Sequence, residues 1–236
     1  MPESQQLNKS GGNLISGFTL VEMAVSLTII GVLSVMGMHL MKTAGSTSDQ
    51  QNTKAKIKMA KTYLQLYALK NNRLPCPDTD GDGLEEAVCT VQTGWLPYTT
   101  IGISDMSQNK DSELTKIRYG VYRGGLPLDL TEYPNPKNID ELNNLSSQFN
   151  QKLREITLIT NPNNGHPYVS LNKNGVEGCN SVAIYNPAFI VSLQVDKKTQ
   201  RPTVNNNCFF TDQIYYPTEI SAVASAELLG WLGAQK

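Results

Sequence analysis

An apolar run near the amino terminus constrains this chain more than any other feature. It extends from Phe18 to Met41, 24 residues that include a single carboxylate, Glu22. At about 1.5 Å per residue, a helix of this length is long enough to cross the roughly 30 Å hydrocarbon core of a bilayer. An ionised side chain is costly inside such a segment and usually has a function there. We therefore predict a membrane-spanning helix in which Glu22 needs a partner.

The residues around this run resemble a processing signal. A polar leader, residues 1–17, ends at Gly17, and Phe18 is followed by Thr-Leu-Val-Glu, which places Glu22 four residues beyond the junction. This order resembles the class III signal of type IV pilins and type II secretion pseudopilins. The resemblance implies that a prepilin peptidase cleaves between Gly17 and Phe18 and methylates the new amino group of Phe18. It also implies that Glu22 pairs with the amino terminus of a neighbouring subunit during filament assembly.

Two simpler interpretations of the apolar run remain open. One is an ordinary signal anchor that contains a glutamate. The other is a secretory signal peptide cleaved near Ala44, because Thr-Ala-Gly-Ser follows the run. The run is longer than the apolar region of about 7 to 15 residues in such peptides, and Lys9 is the only base of the leader, which disfavours the second interpretation.

After Met41 the sequence predicts that the helix continues, with a polar break in which Gly45 is a candidate bend. From about Gln50 to Asn71 the pattern is amphipathic. Its apolar side carries Ile57, Ala60, Leu64 and Tyr67, and its opposite side carries Lys54, Lys58, Lys61 and Gln65. A helix is expected to end before Pro75, at Asn71-Asn72. We assign 18–41 to the transmembrane and assembly helix, 42–72 to its amphipathic continuation, and 73–236 to a periplasmic globular domain.

An acidic stretch follows the predicted helix. Asp78, Asp80 and Asp82, followed by Gly83, match the first half of a calcium-binding loop. The twelfth position of that loop, where a bidentate Glu is expected, is Cys89, so Glu85 or Glu86 would have to supply the ligand. The five candidate ligands are therefore Asp78, Asp80, Asp82, Glu85 and Glu86. The alternative is a solvated acidic turn without an ion. The stretch Leu-Pro-Cys-Pro-Asp-Thr-Asp-Gly-Asp-Gly also resembles a subset of pilin-like proteins.

Four cysteines, Cys76, Cys89, Cys179 and Cys208, lie beyond the apolar run. An even number of cysteines on the exported side indicates disulfides. Of the three connectivities, the simplest joins Cys76 to Cys89 and Cys179 to Cys208. A zinc site is a weaker alternative, because there is no Cys-x-x-Cys pair and His166 is the only histidine beyond the apolar run.

The rest of the chain predicts an α+β domain. Alternation predicts strands at 116–123, 182–185 and 189–195, and apolar spacing predicts helices at 139–156 and 220–232. Residues 94–102 look like a packed, irregular segment. The whole resembles a pilin-type fold, in which a long amino-terminal helix, with a membrane half and an amphipathic half, packs on a small antiparallel sheet.

Composition and motifs limit the functions to consider. A formal net charge of -1 argues against nucleic acid as the main partner, and the chain lacks a nucleophile motif or phosphate-binding loop, so no enzyme activity is predicted. The favoured hypothesis is a minor pilin or pseudopilin, anchored in the inner membrane with a cytoplasmic amino terminus. Its partners would be the prepilin peptidase, other pilin subunits, the inner-membrane assembly platform and lipid. The alternative is a membrane-tethered, calcium-stabilised adhesin or substrate-recognition protein that does not polymerise.

Overall fold

The structure is a computed structural model. It describes residues 20–103, 113–125, 127–136, 138–160, 165–171, 179, 182–194, 207–211 and 218–235. The leader and the junction between Gly17 and Phe18 lie outside these residues. The first helix, α1, spans Leu20–Asn71, and its side chains are described at 20–31 and 50–71. The residues belong to two compact units, Met1–Ser48 and Asp49–Lys236, and each is described by itself.

The carboxyl-terminal part of α1 packs its apolar face into the core of the second unit. Ile57, Ala60 and Leu64 are buried there, as the periodicity predicts. Gln65 is also buried, at 5% exposed, so its assignment to the solvent side was wrong, because the elements packed on α1 cover a wider arc than the apolar residues alone. The helix ends at Asn71, and Asn72 takes a positive φ of 51°, a conformation that Asn tolerates better than most residues.

A four-stranded antiparallel sheet forms the centre of this unit. Its strands are β1 (Thr93–Trp95), β2 (Arg118–Val121), β5 (Pro187–Gln194) and β7 (Thr218–Ala224), in the order β1-β2-β5-β7. A second, three-stranded sheet has the order β4-β3-β6, from β3 (Tyr168–Leu171), β4 (Val182–Ile184) and β6 (Cys208–Thr211). The larger sheet is the small antiparallel sheet that the sequence predicts. The smaller one is mixed, since β3 pairs with β6 in parallel.

Both faces of β5 are covered, which explains why this strand is almost continuously apolar. Phe189, Val191 and Leu193 belong to the main core, together with the buried face of α1. Ile190 points to the other face, where it packs with Val169 and Phe209 of the second sheet. Among the described residues, this unit also contains three α-helices, α2 (Ile139–Asn143), α3 (Leu145–Thr157) and α4 (Ser225–Gly233), and a 3-10 helix at Glu113–Lys116.

Three predicted elements differ from the structure. The helix predicted at 220–232 begins only at Ser225, because 218–224 form β7, which pairs with β5 along its length. The helix predicted at 139–156 is divided at Asn144 into α2 and α3. Residues 94 and 95, the start of the segment expected to be irregular, belong to β1 (Thr93–Trp95), which pairs with β2. In each of these strands, pairing with a distant strand outweighs local preference.

Candidate functional sites: the amino-terminal segment and the acidic loop

The amino-terminal turns of α1 present apolar side chains in every direction. Leu20 is 87% exposed, Val21 71% and Leu27 69%, and Met23, Val25, Ile29 and Ile30 are also exposed. The hydroxyls of Ser26 and Thr28 donate to backbone oxygens of the same helix, those of Glu22 and Val25, at 2.8 and 2.7 Å. These two polar side chains therefore find acceptors without water. An apolar surface of this kind needs a membrane or other chains around it.

Glu22 lies in the first turn of α1 as the structure describes it, and its side chain is exposed. An acidic residue is favourable there, because the first turn of a helix carries a partial positive charge. Gly17 and Phe18, the predicted cleavage and methylation residues, lie outside the described residues.

In the parts of the chain that the structure describes, no helix contains a stretch both long and apolar enough to cross a membrane.

The acidic loop is closed at its base by a disulfide and a strand-like bridge. Cys76 and Cys89 are bonded, with 13 residues of sequence separation. Asp78 exchanges two backbone hydrogen bonds with Trp95, at 3.1 and 2.7 Å, which attaches the loop to the first strand of the large sheet. The close approach requires Gly94, since a Cβ there would lie 2.5 Å from the backbone oxygen of Asp78. The disulfide and the two backbone hydrogen bonds therefore anchor the loop independently of its acidic side chains.

Asp78 organises the backbone of the loop. Its side chain is fully buried, and its two oxygens accept hydrogen bonds from the backbone N–H groups of Gly81 and Gly83, at 2.6 and 2.8 Å. Gly83 has a φ of 86°, and a Cβ at this position would lie 2.3 Å from the ring of Tyr98, so only glycine fits. Burial raises the pKa of Asp78, and the two hydrogen bonds from Gly81 and Gly83 lower it. The negative charges of Asp82 and Asp80 raise it again, so that the pKa lies above its ordinary value.

Three of the five predicted metal ligands lie close together. One carboxylate oxygen from each of Asp78, Asp80 and Glu86 falls within 4.8 Å of the others, a group that could hold a metal ion. Asp82 does not belong to this group; its side chain accepts from the backbone N–H of Leu84 at 2.7 Å. The oxygen Oε1 of Glu86 accepts from the backbone N–H of Thr79 at 3.0 Å and also from its hydroxyl.

Glu85, the fifth predicted ligand, has a different set of contacts. Its two oxygens accept from Nη2 and Nη1 of Arg73, at 2.6 and 2.7 Å, and it also accepts from the backbone N–H of Cys76 and the hydroxyl of Tyr67. The side chains of Arg73 and Glu85 are only 6% and 14% exposed. Burial alone would raise the pKa of Glu85, but Arg73 and the other donors outweigh it and hold the pKa below its ordinary value. The structure uses Glu85 to fasten the loop to the end of α1.

Two aromatic rings also contact Arg73, and these contacts were not predicted from the sequence. The guanidinium carbon of Arg73 lies 3.7 Å from the ring centroid of Tyr133 and 5.3 Å from that of Tyr67. The buried hydroxyl of Tyr119, on β2, donates to the backbone oxygen of Pro75 at 3.1 Å. Tyr133 lies 60 positions beyond Arg73 in the sequence, so no local motif relates the two residues. A single arginine just before a Cys-containing acidic stretch was the available signal.

The second disulfide joins Cys179 to Cys208, which lies at the start of β6. The structure therefore contains both bonds of the simplest connectivity. All four cysteines are disulfide-bonded, which removes them as thiolate ligands for zinc.

Comparison with known proteins identifies the amino-terminal segment. Residues 13–38 match the family model of the prokaryotic N-terminal methylation motif. The match contains Gly17, Phe18 and Glu22 and covers the exposed apolar turns of α1. No curated protein matches the chain significantly, and no solved structure does.

Proposed function

We propose that this chain, whose amino-terminal segment is the class III prepilin signal of type IV pilin-like proteins, is a minor pilin or pseudopilin. One observation carries the proposal: the methylation motif coincides with a helical segment, 20–31, that exposes apolar side chains on all sides. That family is structural, and a filament subunit needs such a helix. The separate folded unit of Asp49–Lys236 would be the part that the filament displays.

The signal implies a sequence of partners. A prepilin peptidase would remove residues 1–17 and methylate Phe18, and the apolar helix would then leave the inner membrane through the assembly platform. Before assembly the protein would lie in the inner membrane, with residues 18–41 in lipid and the domain in the periplasm. In the filament, helices of other pilin subunits would replace the lipid around these apolar side chains.

Glu22 would provide the docking charge in this scheme. After cleavage, the amine of Phe18 and the carboxylate of Glu22 both lie near one end of an apolar helix, where neither charge is tolerated alone. A pairing between the Glu22 of one subunit and the Phe18 amine of its neighbour would satisfy both groups.

Glu22→Ala should leave the protein processed and inserted but reduce its incorporation into filaments more than tenfold. The reason is that an unpaired charge in the membrane interior costs at least about 2.5 kcal/mol. Incorporation is measured as the amount of this chain in sheared, purified filaments relative to the amount in membranes. Glu22→Gln, which keeps the shape and removes the charge, should behave in the same way.

Ser26→Ala is the matched control, because Ser26 lies one turn further along the same helix and its hydroxyl donates to a backbone oxygen of that helix, the one of Glu22. It should be incorporated normally. Normal incorporation of both Glu22 variants would instead support a membrane-tethered adhesin or substrate-recognition protein that does not polymerise.

We also propose that the acidic loop binds calcium through Asp78, Asp80 and Glu86. The donor set fits, because Ca²⁺ prefers carboxylate and backbone oxygens, and an ionised carboxylate has about four acceptor positions, so the hydrogen bonds of Asp78 and Glu86 leave room for an ion. The grouping of three acids within 4.8 Å supports the proposal, since their mutual repulsion would be relieved by a cation. Asp82 and Glu85 would contribute by fixing the backbone and not as ligands.

Calcium should raise the melting temperature of the full chain in detergent by roughly 5 to 10 °C relative to chelator. Binding to the folded state alone adds about 2.7 kcal/mol at a hundredfold excess over Kd, and the domain has close to two hundred residues. Asp80→Asn, which can still accept from the backbone N–H of Asp82, should abolish the shift. Asp140→Asn, at an exposed acid of α2, should keep it. Equal melting curves in calcium and chelator would contradict the proposal.

A further inference from the structure

Arg118 of β2 combines deep burial with an incomplete set of hydrogen bonds. The residue is 6% exposed. Its Nη1 donates to the backbone oxygen of Cys208 at 2.9 Å, and its guanidinium carbon lies 4.2 Å from the ring centroid of Phe209. Nε and Nη2 are buried, and among the described residues neither has a hydrogen-bond partner. Burial lowers the pKa of Arg118 to about 10, so the side chain is still charged at neutral pH.

Among the residues that the structure describes, those directly opposite Arg118 in the sheet are not acidic. Its cross-strand neighbours are Trp95 on β1 and Ser192 on β5, and Ser192 is followed across the sheet by Ile220 on β7. Directly opposed residues share a face, so Arg118 lies in a row with an indole, a hydroxyl and an aliphatic side chain. Phe209 of the second sheet covers this face.

Two other arginines, the half-buried Arg123 and the buried Arg73, show how this protein satisfies a guanidinium group. Arg123 directs Nε and Nη2 to Oδ2 of Asp129, at 2.9 and 2.8 Å. Arg73 directs Nη1 and Nη2 to the two oxygens of Glu85. Arg118 is as deeply buried as Arg73. Its Nε and Nη2 groups, the pair that Arg123 uses to bind Asp129, contact no carboxylate among the described residues.

A buried cation without a partner is strongly unfavourable, and the loss of one member of a buried pair is among the most destabilising changes known. The Nε and Nη2 groups of an arginine point in nearly parallel directions and match the two oxygens of a carboxylate. We propose that the Nε and Nη2 groups of Arg118 form a binding site for a carboxylate. This site lies where Phe209 of the second sheet covers the face of the first sheet that carries Arg118. The ligand is a free small carboxylate or a carboxylate side chain, which have the same chemistry.

The test uses the full chain in detergent, with its arginines labelled with ¹⁵N, and formate as the probe. The Nε–H signals are recorded first in chloride buffer without carboxylates and then with formate. Lysine substitutions at Arg118 and Arg123 assign the two signals. The Nε of Arg123 donates to Asp129, so its signal marks the spectral position of a carboxylate-bound Nε–H. The exposed Arg154 of α3 marks the spectral position of a solvated Nε–H.

The two sources of the carboxylate give different results. A free ligand is indicated if the Arg118 signal moves to the Arg123 position only when formate is added, together with a rise in melting temperature of about 3 °C or more. A side-chain carboxylate is indicated if the signal lies at the Arg123 position in both buffers and formate has no effect. Either result supports the proposal.

Arg118→Met provides an independent stability measurement, because it removes the charge and keeps much of the volume. If a carboxylate is bound, this variant should melt at a lower temperature than the wild type and should not respond to formate. The proposal is overturned if the Arg118 signal fails to reach the Arg123 position in either buffer. A higher melting temperature for Arg118→Met than for the wild type when formate is present would also overturn it, because a solitary buried charge is improved by an apolar replacement.

Discussion

Glu85→Ala should destabilise the folded domain by about 3 to 5 kcal/mol, because it leaves the charge of Arg73 buried without its carboxylate. For a domain of this size the expected fall in melting temperature is roughly 6 to 20 °C. The loss is large because Glu85 also accepts from the backbone N–H of Cys76 and from Tyr67. Thermal unfolding of the full chain in detergent measures the change.

An exposed ion pair in the same unit is the control. Lys54 and Glu219 lie 3.5 Å apart, with side chains 63% and 30% exposed, so Glu219→Ala should cost less than about 1 kcal/mol. A double variant, Arg73→Met with Glu85→Leu, should recover much of the stability lost in Glu85→Ala, since no unpaired charge remains. If Glu85→Ala and Glu219→Ala cost the same, Glu85 does not fasten the loop to α1.

The same pair predicts a pH dependence. The pKa of Glu85 is lower in the folded state than its ordinary value of 4.5, so the stability it contributes is complete above that value and is lost as pH falls through the folded pKa. The difference in stability between wild type and Glu85→Gln should therefore be constant near neutral pH and shrink below about pH 4.5. Asp78 is present in both proteins, so its titration cancels in this difference. The pH dependence of the difference therefore reports on Glu85.

Gly17→Val should abolish processing and leave the full chain in the membrane. In the pilin family that this signal resembles, the peptidase cleaves after the glycine, and we expect a branched side chain at that position to obstruct the scissile bond. Intact-mass measurement should find the wild type without its 17-residue leader, beginning at a methylated Phe18, and the variant with the leader still attached.

Gly31→Val controls for changes to the apolar segment itself. A Cβ at Gly31 meets nothing within 4 Å, so this variant should insert and be processed normally. A wild-type mature chain that begins at any residue other than methylated Phe18 would contradict the prepilin assignment.

The sequence alone determined the features that depend on neighbouring residues in the chain. The amino-terminal methylation motif is a linear pattern, and the family match at 13–38 covers the residues from which we predicted a prepilin signal. The apolar face of α1 near Ile57 and Leu64 and the helix end at Asn71 follow from helical spacing and from local backbone preferences. The grouping of Asp78 with Asp80 was also local, since the two acids share one turn.

Only the tertiary structure decided the features that depend on distant partners. Residues 218–224 have side chains that suit a helix or a strand, and their pairing with β5 makes them a strand. Glu85 and Glu86 are adjacent glutamates, yet Arg73 pairs with Glu85, whereas Glu86 lies beside Asp78. In the sequence, Arg118 occupies a polar position of an alternating strand. In the structure, Phe209 and the second sheet cover its side chain. A sequence pattern records which residues are near in the chain, whereas burial and charge pairing depend on which residues folding brings together.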